Sequence, residues 1–401
     1  MTARQWARTG VVGLAAAALA VTAFGAPAGA AATQSTGTGK DHGTGHRATQ
    51  RALDTVVAAG IPGALAQVRK DGRVWKGAAG VGNRETGAPR GKNDRFRIAS
   101  ITKTFVATVL LQLEAEGRLD LDDTVERHLP GLVTGNGNDG GRITVRQLLN
   151  HTSGLFDYLN DPEYAHTYLI GDGFLKHRYD TLAPEFHVRV ALGHPPEFAP
   201  GSRHAYSNTG YVLAGLIIEK VTGNTYEHEV RERIIKPLGL RSTSQPGNSP
   251  FMPRPSGRAY SSLYLPDASR THDVTEMNGS QGWADGDIIS STGDLTRFFS
   301  ALMRGDVLPK RQLKAMKTTV AAPDMGTDIR YGLGIYSQRT SCGTVLWGHG
   351  GGIVGSLSDA VTTEDGRHAL AYNQNGDWAM PVDIAEAEFC GTTRAGARAR
   401  F

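Results

Sequence analysis

Apolar residues along the chain recur with two different periods, and these periods predict where helices and strands lie. In the run ITKTFVATVLLQLEAEG (101–117), apolar positions recur every three or four residues, which predicts a helix with one buried face. A second apolar helix is predicted over GYVLAGLIIEKVTG (210–223). A third amphipathic helix is predicted in DLTRFFSALM (294–303), with Ser291 and Thr292 in its candidate cap region.

Strand-like patterns lie towards both ends of the chain. ALAQVRKDGRVWKGAAGVG (64–82) predicts two strands around an Asp71-Gly72 turn. After residue 329 the pattern is again strand-like, and PVDIAEAEFC (381–390) predicts a closing helix. Strands at both ends of a helical middle predict an α+β fold, in which an antiparallel sheet packs against helices and carries an inserted, mostly helical lobe.

The first thirty residues have the pattern of a secretory signal peptide. Arg4 and Arg8 precede a short apolar run, and small residues that suit a cleavage site follow it. Residues 31–47 are small and polar, which predicts a disordered linker. We therefore expect a secreted protein with one folded domain over residues 48–391 and a C-terminal tail over 392–401.

Composition and charge exclude several classes of protein. The 401 residues carry a formal charge of +4, with lysine and arginine scattered along the chain, so the sequence predicts no nucleic-acid partner. No stretch after the signal is apolar enough to span a membrane. The nucleophile elbow Gly-x-Ser-x-Gly and the zinc motif His-Glu-x-x-His are both absent from the sequence. We expect a monomer that uses no metal and no cofactor.

The chain has two cysteines, Cys342 and Cys390. In an exported protein an even, minimal pair predicts one disulfide, which would tie a late strand to the C-terminal helix. The alternative is two separate buried thiols.

Ser100 and Lys103 lie three residues apart near the start of the first predicted helix. Residues at this spacing share one face of a helix, so the two side chains are expected to meet. Such a pair can activate a serine. The alternative is that Ser100 only caps the helix. Because Ser-x-x-Lys fixes just two positions, the pair needs support from other segments.

Two further segments give that support. Tyr206-Ser207-Asn208 is predicted in a turn just before the second apolar helix, and His349-Gly350-Gly351 follows a predicted strand. Alone, Asn208 could be a helix cap and the glycines a tight bend. Their order after Ser100-x-x-Lys103 resembles the motifs of the penicillin-recognising serine hydrolases, which include D-alanyl-D-alanine carboxypeptidases, class C β-lactamases and related esterases.

The resemblance covers roughly residues 50–391 and implies a role for each motif residue. Ser100 would be the nucleophile, and Lys103 and Tyr206 would share the proton transfers. His349 would line the opposite wall and help to hold the proton network. Asn208 would position the substrate amide.

The same resemblance implies a substrate-binding strand at Gly350, Gly351 and Gly352. The backbone N–H groups of Ser100 and Gly352 would form the oxyanion hole. Trp283 would line the cleft, although it could equally be a core residue.

The likeness is greatest to secreted actinomycete-type DD-carboxypeptidases, which implies peptidoglycan stem peptides as substrates and β-lactams as acylating inhibitors. A carboxypeptidase must hold a terminal carboxylate, yet Gly350 and Gly352 carry no hydroxyl, and Tyr336 stands where an arginine would be expected. Arg339 lies nearby in the sequence. An esterase, a D-amino-acid amidase, a β-lactamase or a catalytically silent penicillin-binding module therefore stays open.

Overall fold

The largest element of the fold is an eight-stranded antiparallel sheet, seen in a computed structural model that describes residues 46–265, 270–380 and 382–392. The strands of the described residues are β1 (Gly63–Lys70), β2 (Arg73–Gly80), β3 (Phe96–Arg97), β4 (Thr134–Gly135), β5 (Asn138–Asp139), β6 (Tyr260–Ser261), β7 (His272–Asp273), β8 (Ile289–Ser290), β9 (Val320–Ala321), β10 (Ile329–Tyr331), β11 (Tyr336–Arg339), β12 (Val345–Ile353), β13 (Ser356–Thr363) and β14 (His368–Gln374). The order in the large sheet is β2-β1-β14-β13-β12-β11-β10-β9. The N-terminal hairpin therefore pairs with the last strand of the chain.

Helices cover the sheet and build a separate region between residues 102 and 316. The helices of the described residues are α1 (Arg47–Ala58), α2 (Thr102–Ala115), α3 (Val125–His128), α4 (Val145–Leu149), α5 (Pro162–Tyr168), α6 (Gly171–His177), α7 (Pro184–Leu192), α8 (Thr209–Thr222), α9 (Tyr226–Val230), α10 (Lys236–Leu238), α11 (Trp283–Gly286), α12 (Thr292–Arg304), α13 (Lys310–Met316) and α14 (Ile384–Cys390). In the described part of the chain, none of these helices has the length and apolar character needed to cross a bilayer.

The two faces of the sheet bury different sets of apolar side chains. On one face, α1 and α14 pack together and α1 also packs on β1 and β2. On the other face, α12 packs on β1, β13 and β14, and α2 and α8 continue this core away from the sheet. The predicted α+β fold, with an antiparallel sheet and a helical region inserted between its strands, is thus confirmed.

Several local predictions are also confirmed. Asp71 and Gly72, with φ values of 48° and 80°, form the turn between β1 and β2. Ser291 is the N-cap of α12, and its side chain accepts a hydrogen bond from the Asp294 amide. Cys342 and Cys390 form a disulfide that ties the β11–β12 connection to the end of α14.

Two expectations were wrong. The pattern in 101–117 predicted one buried face, but α2 is buried nearly all round because the sheet-side core, α8 and α11 enclose it. His349 lies inside β12 rather than after a strand. The predicted signal peptide (1–30), almost all of the predicted linker (31–47) and the tail beyond Thr392 lie outside the described residues.

Candidate active site

Ser100 lies in a short 3-10 turn, Ala99–Ile101, that runs directly into α2. The preceding residue, Ala99, has a φ of 48°, a left-handed conformation that is rare for a residue with a side chain. Such strain persists only where the surrounding fold imposes it, and it is typical of functional sites. The side chain of Ser100 caps neither the turn nor the helix, so the alternative role as a plain N-cap is excluded.

Lys103 is fully buried beneath Ser100 and donates three hydrogen bonds. Its Nζ lies 3.0 Å from Ser100 Oγ, 2.7 Å from Asn208 Oδ1 and 2.8 Å from the Asp285 carbonyl oxygen. Burial lowers the pKa of Lys103 to about 8, although Asp285 and Asp157 act against this change. A lysine with this pKa can exchange a proton with Ser100 near neutral pH.

Two buried carboxylates flank Lys103, and the sequence patterns did not reveal either of them. Asp157 accepts a hydrogen bond of 2.9 Å from Asn208 Nδ2, and Asp285 accepts one of 2.7 Å from the Tyr158 hydroxyl. Burial raises the pKa of Asp157 to about 6 and that of Asp285 to about 7. Asn208 therefore links Lys103 to Asp157. It is the N-cap residue of α8, but its side chain makes no capping bond to that helix.

Tyr206 lies on the other side of Lys103, in the coil that precedes α8. Lys103 Nζ is 5.2 Å from the centroid of the Tyr206 ring. Burial and the neighbouring Tyr331 raise the pKa of Tyr206 well above its ordinary value, while its interaction with the Ser100 side chain acts in the opposite direction. Tyr206 is therefore a neutral phenol next to Ser100, which can pass a proton in either direction.

The glycines of β12 form the other side of the site. A Cβ on Gly351 would lie 2.0 Å from the Ile98 carbonyl oxygen, so only glycine lets β12 pass this close to the serine turn. β11 pairs with β12 as far as Gly348, so from His349 onwards this edge of β12 is not paired with β11. Gly352, which precedes the end of β12, lines the same cleft as Ser100.

His349 is a buried residue of β12, and its ring is held in one tautomer. Its Nδ1 lies 2.5 Å from the Gly350 carbonyl oxygen, which can only accept, so Nδ1 carries the proton. Burial lowers the pKa of His349 to about 3, so the ring is neutral and Nε2 accepts from the Tyr331 hydroxyl at 2.7 Å. The ring centroids of His349 and Tyr206 are 6.4 Å apart. His349 thus supports Tyr331 at the edge of the site.

Ser100 opens into a cleft with a volume of about 320 Å³. Much of its lining is aromatic or aliphatic, including Tyr164, Tyr168, Leu169, Phe174, Met277 and Leu357. Three carboxylates also line it: Asp157, Asp285 and Asp377. The described residues that line the cleft include no arginine and no lysine. The cleft therefore suits a substrate with an apolar group, and its described lining residues offer no side-chain cation to hold a carboxylate.

Besides Lys103, six residues singled out in the sequence for the site are not among the residues that line this cleft: His349, Gly350, Gly351, Trp283, Tyr336 and Arg339. Trp283 is 8% exposed and packs against Tyr226 with ring centroids 5.0 Å apart, which favours the alternative that it is a core residue. Tyr336 is buried, and its hydroxyl donates to Asp359. Arg339 is exposed, pairs with Val345 and does not line the cleft. Arg339 therefore supplies no cation to the cleft.

Most of the chain matches one protein family. The family model described as Beta-lactamase matches residues 47–381. Penicillin-binding protein 4* of Bacillus subtilis (strain 168) is 32% identical over 296 residues, which are 72% of this chain and 62% of that protein. The chain spans between about two fifths and three fifths of the length of the curated relatives that it matches first.

Solved structures agree with this placement over a larger share of the chain. A D-stereospecific amidohydrolase from Streptomyces sp. is 53% identical, with a TM-score of 0.82, and the match covers 86% of this chain and 99% of that one. A D-amino acid amidase from Ochrobactrum anthropi SV3, in complex with L-phenylalanine amide, is 30% identical with a TM-score of 0.72, covering 86% and 94% of the two chains. Together with the family match, this likeness means that the chain belongs to the Beta-lactamase family of serine hydrolases.

Proposed function

We propose that the protein is a serine amidohydrolase that cleaves the amide bond of an amino acid amide or short peptide whose acyl residue has an apolar side chain and a free ammonium group. The observation that carries this proposal is the lining of the cleft, which combines aromatic side chains with three carboxylates and has no arginine or lysine among its described residues. The likeness to a D-stereospecific amidohydrolase supports the amide bond and the D configuration.

The charges of the cleft argue for a cationic substrate. Asp157 and Asp285 are buried, and burial raises the pKa of each carboxyl. A substrate ammonium placed next to them would favour their ionised forms and would be attracted in return. A terminal carboxylate in the same cleft would meet like charge, and the described residues that line the cleft include no cation to offset it. The lining thus favours an amide or an amino-terminal residue over a carboxypeptidase substrate.

Acylation follows from the positions of three side chains. In its neutral form, Lys103 takes the hydroxyl proton of Ser100, whose Oγ lies 3.0 Å from Nζ. Ser100 Oγ bonds to the amide carbon, and the carbonyl electron pair becomes an oxyanion. The backbone N–H groups of Ser100 and Gly352 stabilise that oxyanion. Tyr206 donates a proton to the leaving nitrogen as the C–N bond breaks, and the Lys103 ammonium returns a proton to Tyr206. The products of this step are the free amine and an ester on Ser100.

Deacylation repeats the sequence with water as the nucleophile. A water molecule loses a proton to the same Lys103–Tyr206 pair and attacks the ester carbon. The C–O bond to Ser100 breaks, Ser100 regains its proton, and the carboxylic acid leaves. Asn208 holds Lys103 on one side and Asp157 on the other, which fixes the base during both half-reactions.

The experiment compares four substrates at one pH: D-phenylalaninamide, L-phenylalaninamide, N-acetyl-D-phenylalaninamide and an N-acylated peptide that ends in D-Ala-D-Ala. We expect the highest kcat/KM for D-phenylalaninamide and no turnover by Ser100→Ala. Release of D-alanine from the D-Ala-D-Ala peptide at a higher kcat/KM would reject the amidohydrolase and establish the carboxypeptidase. Benzylpenicillin added in the same assay would reveal a β-lactamase by its hydrolysis.

We also propose that the protein is exported. The signal-like pattern of residues 1–30 lies outside the described residues, but the Cys342–Cys390 disulfide suits an oxidising compartment. The monomeric state stays a prediction.

A further inference from the structure

Tyr206 lies in a segment whose backbone is held by residues from distant parts of the chain. Three consecutive N–H groups donate in turn: Ala205 N to the His151 carbonyl oxygen at 3.0 Å, Tyr206 N to Asp324 Oδ2 at 3.1 Å, and Ser207 N to His151 Nδ1 at 3.2 Å. The segment belongs to neither a helix nor a strand. Its position is therefore set by His151 and Asp324 rather than by regular secondary structure.

Asp324 holds this segment with both oxygens of its carboxylate. Its second oxygen, Oδ1, accepts a hydrogen bond of 2.6 Å from His204 Nδ1. The His204 side chain is fully buried, whereas that of Asp324 is 35% exposed. Asp324 lies in the loop between β9 and β10, more than a hundred residues from Tyr206 in the sequence. One carboxylate at the edge of the sheet thus connects this loop to the backbone of Tyr206 and to the ring of His204.

His151 holds the opposite side of the segment. Because its Nδ1 accepts from Ser207 N, the neutral ring carries its proton on Nε2, and burial keeps the pKa of His151 well below its ordinary value. Its ring centroid lies 4.1 Å from that of Tyr206. His151 has a φ of 57°, a strained conformation for a residue with a side chain, and this conformation is consistent with a fixed role.

We propose that Asp324 is a positioning residue, which holds Tyr206 where its hydroxyl can protonate the leaving amine. The inference rests on the proposed function, because the amine leaving group of an amide needs that proton. Proton transfer requires heavy atoms about 2.6–3.2 Å apart, so a small displacement of the phenol slows this step. Asp324 does not line the substrate cleft, so its effect passes through Tyr206 and not through contact with substrate.

The test uses two substrates with the same acyl group, D-phenylalanine anilide and the 4-nitrophenyl ester of D-phenylalanine. Nitrophenolate leaves without a proton, whereas aniline must be protonated. For Asp324→Ala we expect the kcat/KM of the anilide to fall by about tenfold or more, which is roughly 1.4 kcal/mol of barrier, and that of the ester to fall much less. Asp324→Asn retains one acceptor oxygen, so we expect a smaller fall.

The matched control is Asp328→Asn, which removes an exposed carboxylate from the same loop. For each variant, the concentration of active protein is measured by titrating Ser100 with a serine-reactive phosphonate. The kcat/KM values are then expressed per active site, so loss of folded protein does not change them. If Asp324→Ala does not fold, Asp324→Asn gives the same comparison. The expected result is a lower anilide-to-ester ratio for the Asp324 variants and an unchanged ratio for Asp328→Asn.

Two negative results would have different meanings. An anilide-to-ester ratio equal to that of the wild type in folded Asp324 variants would overturn the positioning role alone. A wild-type protein that cleaves the ester but neither the anilide nor the amide would overturn the proposed function, and the inference would fall with it.

Discussion

Gly351 lies directly against the backbone of Ser100. A Cβ on Gly351 would lie 3.1 Å from the Ser100 nitrogen and 2.0 Å from the Ile98 carbonyl oxygen. Both neighbours are backbone atoms, so neither can move without moving the serine turn. The position of Gly351 on β12 is therefore fixed by contact with the turn that holds Ser100, although the two residues are 251 positions apart in the sequence.

Replacing Gly351 with alanine should displace Ser100 from Lys103. We expect Gly351→Ala to lose at least about tenfold in kcat/KM and to be less stable by about 1–3 kcal/mol, the usual cost of overpacking. Steady-state kinetics and urea unfolding measure both effects. Gly141→Ala is the control, because its new Cβ would approach only the end of the Asp139 side chain. Wild-type activity in Gly351→Ala would contradict this prediction, because it would mean that the turn holding Ser100 can move without loss of function.

The activity should depend on the protonation of Lys103. Because the pKa of Lys103 is lowered to about 8, the neutral base is lost as the pH falls through that value, and kcat/KM should fall with it. Arginine at this position stays protonated, so Lys103→Arg should lose about 100-fold or more in kcat/KM. The measurement is the pH profile of kcat/KM for both proteins. An unchanged acidic limb in Lys103→Arg would assign that limb to another group.

Asp157 should contribute to the selection of the substrate ammonium. Asp157→Asn removes one buried carboxylate of the cleft while keeping the shape of the side chain. We expect the ratio of kcat/KM for D-phenylalaninamide over its N-acetyl derivative to fall by about tenfold. The ratio cancels any general loss of activity through Asn208 and Lys103. Asp54→Asn on α1 is the control, and an unchanged ratio for Asp157→Asn would assign the preference elsewhere.

His349 should make the stability of the fold depend on pH. Its folded pKa of about 3 lies below the ordinary value of 6.5, so between these values the unfolded chain binds a proton that the folded protein does not. The free energy of unfolding therefore rises with pH across this window and falls as the pH drops from 6.5 towards 3. A single titrating histidine changes the free energy of unfolding by at most about 1.4 kcal/mol per pH unit. The free energy of unfolding is measured with urea near pH 4.5 and near pH 6.5. The difference between these two values should be smaller for His349→Gln than for the wild type.

The disulfide should stabilise the fold without affecting the site. Cys342 and Cys390 are 48 residues apart, and a closed loop of this size is expected to contribute about 4 kcal/mol through the unfolded chain. A Cys342→Ala, Cys390→Ala double variant should therefore unfold at a lower urea concentration and keep its kcat at temperatures where it is folded. A double variant as stable as the wild type would contradict this expectation.

The local patterns of the sequence determined the elements on which the site is built. Apolar periodicity predicted α2 and α8, because a helix that packs in a core must repeat its apolar positions along the chain. The spacing of Ser100 and Lys103 predicted their contact for the same reason, since residues three apart share a helix face. The two cysteines predicted their own disulfide, because a chain with two cysteines allows only one pairing.

Only the tertiary structure decided which other groups surround that pair. Asp157 and Asp324 lie in connecting segments and Asp285 lies in the single-turn helix α11. Their local sequences have no period and no fixed spacing to Ser100, so no pattern could assign them. Helix packing places Trp283 in the core, and strand register places Arg339 outside the cleft. Both depend on contacts between distant segments of the chain. The sequence by itself determined that Ser100 and Lys103 meet, and it contained the motifs that resemble the family, because both depend on short-range spacing. The charge and shape of the cleft depended on long-range packing and were therefore decided by the tertiary structure.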